Sequence, residues 1–326
     1  MKRLLVAFCL LLVTALPAGQ ALAQGAAGYP AKDLKWVVPF PPAGASDILA
    51  RLLAAKLGEA WGKTVVVENN GAASGTVATE QVAKAPADGY TIILGTNSTH
   101  AINPAIFPNV KTNVVKDFAP IRLVATNTVL LAVHPSLPAK TLPELIAYAK
   151  ANPGKLSYSS PANGTSPHIA MEWLKQLAGV DIVHAPYRGA AAAVTALLSG
   201  EVQVGLVNLP NAMPSVREGK MRVLAQAGET RHPVLPDAPT FVELGWKDYV
   251  VEAWLGVFMA AGTSPAITQK LSDELDKILK QPDVQAKLRE LGLDLSDIKL
   301  DAFGKKQATD VALWDRMVKA TGAKPD

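Results

Sequence analysis

Apolar and polar stretches alternate regularly along the chain from Leu34 onward. Short runs rich in Val, Ile and Leu predict strands, and most are followed by apolar residues at helical spacing. The strands are predicted at 34–38, 64–68, 90–94, 129–133, 156–159, 181–185, 202–207, 223–227 and 254–261. The helices are predicted after residue 46, at 75–84, 142–151, 167–177, 190–198, 265–280 and 282–291, and from residue 300. This order predicts an α/β fold with mainly parallel sheets and helices on both faces.

Polar loops, several of them rich in glycine, follow the predicted strands. They cover residues 40–46, 69–75, 95–100, 159–166 and 186–190. Ligands of open parallel sheets bind beyond the carboxyl ends of the strands, which is where these loops lie. Their placement therefore predicts a binding cleft, although a polar character is common to loops in general.

The first of these loops carries the clearest local signal. The strand that begins at Leu34 is broken by prolines and by Gly44, and Ser46 or Asp47 is placed to cap the helix that follows. The first backbone N–H groups of a helix have no partners within it, and they lie at the positive end of the helix dipole. The loop is therefore a candidate anion-binding site, with an ordinary capped helix as the alternative.

The N-terminus has the pattern of a secretory signal. The basic segment Met1-Lys2-Arg3 precedes an apolar run over 4–16 and the small residues Ala21 and Ala23. Cleavage is predicted after Ala23, and N-terminal sequencing of exported protein would check it. The apolar run is too short for a permanent membrane anchor. The one cysteine, Cys9, lies in this run, so the mature protein is expected to have none, as suits a bacterial periplasmic protein.

Length and charge narrow the class of protein. A chain of 326 residues is long enough for two domains. Its 32 basic and 28 acidic residues nearly balance without a basic run, which argues against binding to nucleic acid. The three closing helices are accompanied by a single strand, so we expect them to pack on the first sheet. The chain would then leave its first domain and later return to it.

Signatures of catalysis are weak. The segment Gly58–Thr64 resembles a phosphate-binding loop, but it is one residue short between its glycines and runs from helix to strand, the reverse of the required order. Ser166 and His168 lie within one helical turn, an unfavourable geometry for a catalytic pair, and the five histidines lack a metal-ligand spacing. Acidic residues such as Asp47 and Glu68 could approach in space, although their spacing does not indicate it. The sequence favours a binding protein over an enzyme and predicts no catalytic residue, metal or cofactor.

Many short motifs follow one another in a fixed order. They are Tyr29-Pro30, Pro39-Phe40-Pro41-Pro42 with Gly44 and Asp47, Val67-Glu68-Asn69, Ala87-Asp88-Gly89-Tyr90-Thr91, Gly95-Thr96, Thr99-His100-Ala101-Ile102-Asn103-Pro104, Asn152-Pro153-Gly154-Lys155-Leu156, Gly164-Thr165-Ser166 with His168, Pro186-Tyr187-Arg188-Gly189, Gly219-Lys220, Leu235-Pro236-Asp237-Ala238-Pro239-Thr240 and Ala261-Gly262-Thr263. With these motifs, essentially the whole mature chain resembles the substrate-binding proteins of tripartite tricarboxylate transporters, the Bug family.

The resemblance implies a two-domain periplasmic binding fold of the Venus flytrap kind (type II-like), with crossovers near Thr126 and Ala253. Domain 1 would then comprise residues 24–125 and 254–326, and domain 2 residues 126–253. It also implies a carboxylate held in the cleft by loop amides, hydroxyl groups and bridging waters, and delivery of that solute to membrane permease subunits. A monomer is expected.

The chain departs from the family pattern in two loops. The first usually reads Pro-Pro-Gly-Gly, and here Ala43 replaces a glycine, which would disfavour a positive φ at this position. The second commonly reads Gly-Ala-Gly-Gly, and here Ala72-Ala73-Ser74-Gly75 adds a hydroxyl group. Both departures bear on the identity of the ligand more than on its acidity.

These observations give a specific hypothesis for the site. We expect an organic acid to bind between the domains, in contact with Phe40, Pro42, Ala43, Gly44, Ala45, Ser46, Ser74, Asn97, Ser98, Thr99, Asn163, Thr165, Ser166, Tyr187, Gly189 and Asn208. Two other functions remain open at this point. One is a sensor partner that presents its bound acid to a membrane kinase, and the other is a periplasmic hydrolase or isomerase that uses Ser166 or His168.

Overall fold

A computed structural model describes residues 28–324, so the predicted signal segment lies outside the described residues. The strands in this range are β1 Leu34–Val38, β2 Val65–Asn69, β3 Thr91–Thr96, β4 Phe118–Val133, β5 Ser157–Ser160, β6 Val183–Pro186, β7 Val204–Asn208, β8 Arg222–Gln226, β9 Glu252–Ala260 and β10 Asp294–Leu295. The helices are α1 Ala45–Trp61, α2 Thr76–Ala83, α3 Asn103–Ile106, α4 Leu142–Ala151, α5 Ser166–Ala178, α6 Ala190–Ser199, α7 Leu209–Arg217, α8 Pro265–Leu279, α9 Pro282–Glu290 and α10 Leu300–Thr321. None of the helices described is both long and apolar enough to cross a membrane.

Two groups of parallel strands are joined by two long antiparallel strands. In the first group β1 lies between β2 and β3, and in the second β5 lies between β6 and β7. Strands β4 and β9 run antiparallel to each other and to the other strands with which they pair. The predicted α/β fold is confirmed, and its parallel pairs belong to the segments in which strands and helices alternate.

Strand β4 changes its partners along its length. Its first part pairs with β9 as far as Thr128, which lies opposite Glu252, whereas residues 129–133 pair with β7 and β8. The sequence predicts only 129–133 as a strand, because Pro120 and the polar residues 126–128 interrupt the apolar pattern before it. This prediction is too short, since pairing with β9 extends the strand back to Phe118.

Helix α1 begins earlier than predicted, and the predicted cap by Ser46 or Asp47 is wrong. Gly44 occupies the N-cap position in an extended conformation and has no side chain with which to cap the helix. The Asp47 carboxylate instead accepts hydrogen bonds from Ala43 N at 3.0 Å and from Asn69 Nδ2 at 2.9 Å. Asp47 therefore holds the loop that precedes the helix rather than the helix end.

The C-terminal helix α10 packs closely against β9 and against the turn that follows β3. A Cβ atom at Gly256 in β9 would lie 2.2 Å from Cζ of Phe303, so only glycine lets the helix approach this closely. The buried Gln307 side chain donates hydrogen bonds to the carbonyls of His100 at 3.1 Å and Val114 at 2.8 Å. These contacts anchor the turn over Ser98–Ile102, which follows β3 and leads to α3.

Candidate ligand-binding cleft

A cavity of about 90 Å³ lies beside β4 and β9, between loops of the two strand groups. Its walls come from the loop before α1, the end of β3, the middle of β4 and β9, and the beginnings of α5, α6 and α7. The lining residues are Phe40, Pro41, Pro42, Gly44, Ala45, Ser46, Thr96, Asn97, Ser98, Asn127, Pro161, Thr165, Pro167, Arg188, Gly189, Ala190, Ala191, Asn208, Pro210, Asn211, Ala253, Trp254 and Leu255. The volume limits an occupant to a small molecule.

The N-termini of four helices converge on this cavity. Residues at the starts of α1, α5, α6 and α7 line it, at positions 44–46, 165 and 167, 189–191, and 208, 210 and 211. Each helix start presents backbone N–H groups without intrahelical partners and a partial positive charge. Of the described residues that line the cavity, none has a carboxylate side chain, and Arg188 alone is charged. The cavity is therefore electropositive and suits a small anion.

Two asparagine side chains in the wall carry buried carbonyl oxygens. The Oδ1 atoms of Asn127 and Asn208 have no hydrogen-bond partner within the described part of the chain. Buried polar atoms normally have such a partner, and a carboxamide can both donate and accept hydrogen bonds. Asn127 and Asn208 are thus able to bind a polar occupant directly or through water.

Direct hydrogen bonds also join the two walls of the cavity. Ala45 N at the start of α1 donates to Asn211 Oδ1 in α7 at 3.3 Å. Ser166 N at the start of α5 donates to Ser98 Oγ at 3.2 Å. These two hydrogen bonds bring the walls into direct contact, as in a shut cleft.

The structure brings most of the predicted site residues together in the cavity wall. Those that line it are Phe40, Pro42, Gly44, Ala45, Ser46, Asn97, Ser98, Thr165, Gly189 and Asn208. Six others lie outside the wall, namely Ala43, Ser74, Thr99, Asn163, Ser166 and Tyr187. Ala43 and Ser166 each lie between two residues that line the cavity.

Local hydrogen bonds explain why two of these hydroxyl groups are not presented to the cavity. Thr99 is buried, and its Oγ1 lies 2.8 Å from Nδ1 of His100, whose pKa burial lowers to about 3. The Tyr187 hydroxyl donates to Glu201 Oε1 at 2.8 Å. Burial, together with this carboxylate, raises the pKa of Tyr187 to about 12, so the phenol remains a donor to Glu201.

A charged network fixes the loop before α1. Asp47 forms an ion pair with Arg51 at 3.0 Å, and Arg51 in turn donates to Asn69 Oδ1 at 2.9 Å. Burial raises the pKa of Asp47, but hydrogen bonds from Arg51, Ala43 and Asn69 outweigh that effect and hold it below its usual value. The carboxylate therefore stays ionised, with its charge compensated by Arg51 rather than directed at the cavity.

The two loops that depart from the family pattern both contain strained residues. Ala43 has φ of 69°, and Ala73 and Ser74 have φ of 48° and 55°. Left-handed backbone conformations are unfavourable for residues with a Cβ atom. Ser74 is nevertheless fixed there, since its carbonyl accepts a hydrogen bond from Asn103 Nδ2 at 2.9 Å.

We expect Ala43→Gly to raise the free energy of unfolding by about 1 kcal/mol, because glycine relieves the left-handed strain. Urea denaturation measures the change. Ala55→Gly on the exposed face of α1 is the matched control, and it should lower stability by about 1 kcal/mol. A loss of stability in both variants would contradict the strained conformation of Ala43.

The sequence does not identify some of the residues that line the cavity. Asn127 and Trp254 lie inside strands rather than in loops, and α7 with Asn211 is not among the predicted helices. A helix-start signal does exist there, because Asn208 precedes Pro210 in the first turn. This signal does not lead to a predicted helix, because Pro214 lies inside the helix and interrupts the helical pattern of the sequence.

The side chains proposed for a catalytic pair are not joined. Ser166 Oγ has no hydrogen-bond partner among the described residues, so it forms no hydrogen bond with the His168 ring. Nδ1 of His168 accepts a hydrogen bond from Gly164 N at 3.1 Å, and the ring stacks on His184 with centroids 4.2 Å apart. No group of His, Cys, Asp and Glu between residues 28 and 324 could hold a metal ion.

The fold and the cavity together define a two-domain α/β solute-binding protein. The chain belongs to the tripartite tricarboxylate transporter receptor family, because the family model TctC, described as "Tripartite tricarboxylate transporter family receptor", matches residues 49–323. The resemblance to the Bug family is thus confirmed. BugT of Bordetella pertussis is 33% identical over 325 residues, covering 99% of both chains.

Solved structures of similar proteins agree with this fold. The R. palustris protein Rpa4515 with adipate is 34% identical, with a TM-score of 0.87 over 91% of this chain and 100% of that one. MatC from Rhodopseudomonas palustris with bound malate is 32% identical, with a TM-score of 0.84 over 89% of this chain and 100% of that one. The predicted two-domain periplasmic binding fold is therefore confirmed.

Proposed function

We propose that this protein captures a small organic acid in the cleft and delivers it to the permease of a tripartite tricarboxylate transporter. The observation that carries the proposal is the convergence of four helix N-termini on a cavity without a lining carboxylate. Such a cavity favours an anion over a neutral or cationic molecule of the same size. Relatives with a TM-score above 0.8 were solved with adipate and with malate, which supports a carboxylate as the solute.

The two parts of the fold would act as lobes that close over the solute. Within the described residues, we assign 28–125 and 254–324 to one lobe and 126–253 to the other. The change of partners along β4 and the start of β9 near Glu252 support these boundaries. Because each lobe contributes helix N-termini to the cavity, a bound acid would stabilise the shut form through contacts that the open form lacks.

Binding without chemical change fits the site better than catalysis. The cavity wall offers backbone amides, carboxamides and hydroxyl groups, and the unjoined Ser166 and His168 provide no activated nucleophile. We place the protein in the periplasm after cleavage of the predicted signal at Ala23, in keeping with the receptor family. Co-purification with the permease, rather than with a membrane kinase, would support transport over sensing.

A thermal-shift screen of carboxylates should first identify an acid that raises the melting temperature, because binding to the folded state alone stabilises it. We then expect Asn127→Ala and Asn208→Ala each to raise the Kd for that acid about tenfold, measured by isothermal titration calorimetry. Each substitution removes a buried carboxamide from the cavity wall.

Asn109→Ala, at an exposed position outside the wall, is the matched control and should bind like the unmodified protein. Unchanged affinity in both cavity variants would contradict the proposed site. Turnover of the acid, rather than stoichiometric binding, would contradict the proposed function.

A further inference from the structure

We propose that Arg188 binds a second negative group of the solute, so that the protein selects dicarboxylates over monocarboxylates. This inference rests on the proposed function, since it concerns the same cavity. Arg188 is the charged side chain in the cavity wall. Its guanidinium forms neither a hydrogen bond nor an ion pair with any residue in the described range, and the residue is exposed.

Three other arginines of this protein form ion pairs with carboxylates, whereas Arg188 forms none within the described range. Arg51 pairs with Asp47, Arg122 with Asp276, and Arg231 with Glu243 through both carboxylate oxygens. Unlike these three, Arg188 has no carboxylate partner among the described residues, and unlike Arg217, which also lacks one, it lines the cavity. A side chain that lines a ligand cavity and has no structural partner is available to the ligand.

The backbone around Arg188 is well anchored although its side chain is free. Tyr187 N donates to Ser160 O at 2.9 Å, and Gly189 N donates to Pro161 O at 2.9 Å. These bonds tie the segment to the end of β5 on both sides of Arg188. The guanidinium is therefore held near the cavity by a fixed main chain, which lowers the entropic cost of binding an anion.

The size of the cavity places both recognition elements within reach of one small molecule. The N-terminus of α1, Arg188 and the start of α6 all line one cavity of about 90 Å³. A monocarboxylate that occupies a helix N-terminus would leave Arg188 unpaired. A second carboxylate at the other end of a short acid could bind the planar guanidinium through two parallel hydrogen bonds.

The test compares acids of equal chain length that differ only at the far end. Isothermal titration with succinate and butyrate, glutarate and pentanoate, and adipate and hexanoate gives a ratio of affinities for each pair. For the unmodified protein we expect the dicarboxylate of at least one pair to bind about tenfold or more tightly than its monocarboxylate. In Arg188→Gln that ratio should fall to within about twofold, while the affinity for the monocarboxylate remains unchanged.

Arg217→Gln is the control, because this exposed residue lies in the last turn of α7, outside the cavity wall, and carries the same charge. It should leave the ratio unchanged. If Arg188→Gln keeps the preference, or if the unmodified protein binds both members of each pair equally, the role of Arg188 is refuted while acid binding stands. If the unmodified protein binds no acid of either series, the proposed function fails and the inference fails with it.

Discussion

Gly189→Val is expected to weaken binding of the cognate acid by roughly 100-fold, an effect equivalent to about 2.7 kcal/mol. Gly189 is the N-cap residue of α6, with φ of 102° and ψ of 166°, a conformation that is essentially restricted to glycine. A Cβ atom at this position would lie 3.2 Å from Pro41 Cγ on the opposite wall of the cleft. The two additional methyl groups of valine would collide with Pro41 and hinder the shut form.

Two further variants show whether Gly189→Val weakens binding because it hinders closure of the cleft or because it destabilises the fold. Gly200→Val, at the C-cap of the same helix with φ of 76°, should lose stability without losing affinity, because the nearest atoms there belong to His134 and not to the cleft. Adding Pro41→Ala to Gly189→Val removes the closest opposing atom and should restore part of the affinity. Titration calorimetry measures both effects. Equal loss of affinity in the Gly189 and Gly200 variants would contradict the steric block.

The regular elements of the fold were predictable where short-range signals agree. Helix α4 is one example, since Thr141, a proline in the first turn and Glu144 form a recognisable start. The structure confirms that cap, because Thr141 Oγ1 accepts a hydrogen bond from Glu144 N at 3.3 Å. The signal needs only four neighbouring residues and no tertiary contact.

Long-range contacts determine the elements that the sequence did not reveal. The first part of β4 contains a proline and polar residues, and it becomes a strand because β9 supplies its hydrogen-bond partners from more than 100 positions further along the chain. The predicted loop at 95–100 is likewise replaced by the end of β3 and the turn over Ser98–Ile102. Gln307 in α10 bonds the backbone of that turn at His100, which no local pattern could indicate.

The loops that form the candidate site could be predicted from the sequence, but the positive electrostatic potential of the cavity could not. Loops 40–46 and 186–190 follow strands, so their place at the sheet edge follows from topology alone. The positive character of the cavity arises only where the starts of α1, α5, α6 and α7 meet, and α7 is not among the helices that the sequence predicts. Asn127 could have been noticed as a polar residue within a long apolar segment, but its direction toward the cavity depends on the twist and pairing of β4.

Removal of the Asp276 carboxylate should have the largest effect on stability. Asp276 Oδ1 in α8 lies 2.6 Å from the guanidinium of Arg122 in β4, whose side chain is only 1% exposed. Arg122 also donates to the carbonyl of Ser296 at 3.0 Å, so it joins α8 and the segment after β10 to β4. Asp276→Asn leaves this buried cation without its close carboxylate, and we expect the free energy of unfolding to fall by about 3 kcal/mol at pH 7.

The effect should also depend on pH with a defined sign. Burial raises the pKa of Asp276, but the hydrogen bond from Lys280 and the charges of Arg122 and Lys299 outweigh it and hold the pKa below its usual value. The ionised carboxylate therefore stabilises the fold fully above the unfolded-state pKa of about 3.9, and this contribution is lost as the pH falls through the folded-state value. The stability difference between the unmodified protein and Asp276→Asn should accordingly shrink toward pH 3.

Urea denaturation at pH 7 and at pH 3 measures both predictions. Asp273→Asn is the matched control, since this carboxylate lies on the exposed side of the same helix and accepts a hydrogen bond only from Gln269, at 2.8 Å, among the described residues. It should change stability by less than about 0.5 kcal/mol at either pH. Because Arg122 lies in the part of β4 that pairs with β9, a loss confined to Asp276→Asn would show that this ion pair supports the strands that carry the cleft. A difference that stays constant between the two pH values would instead trace the loss to packing rather than to charge.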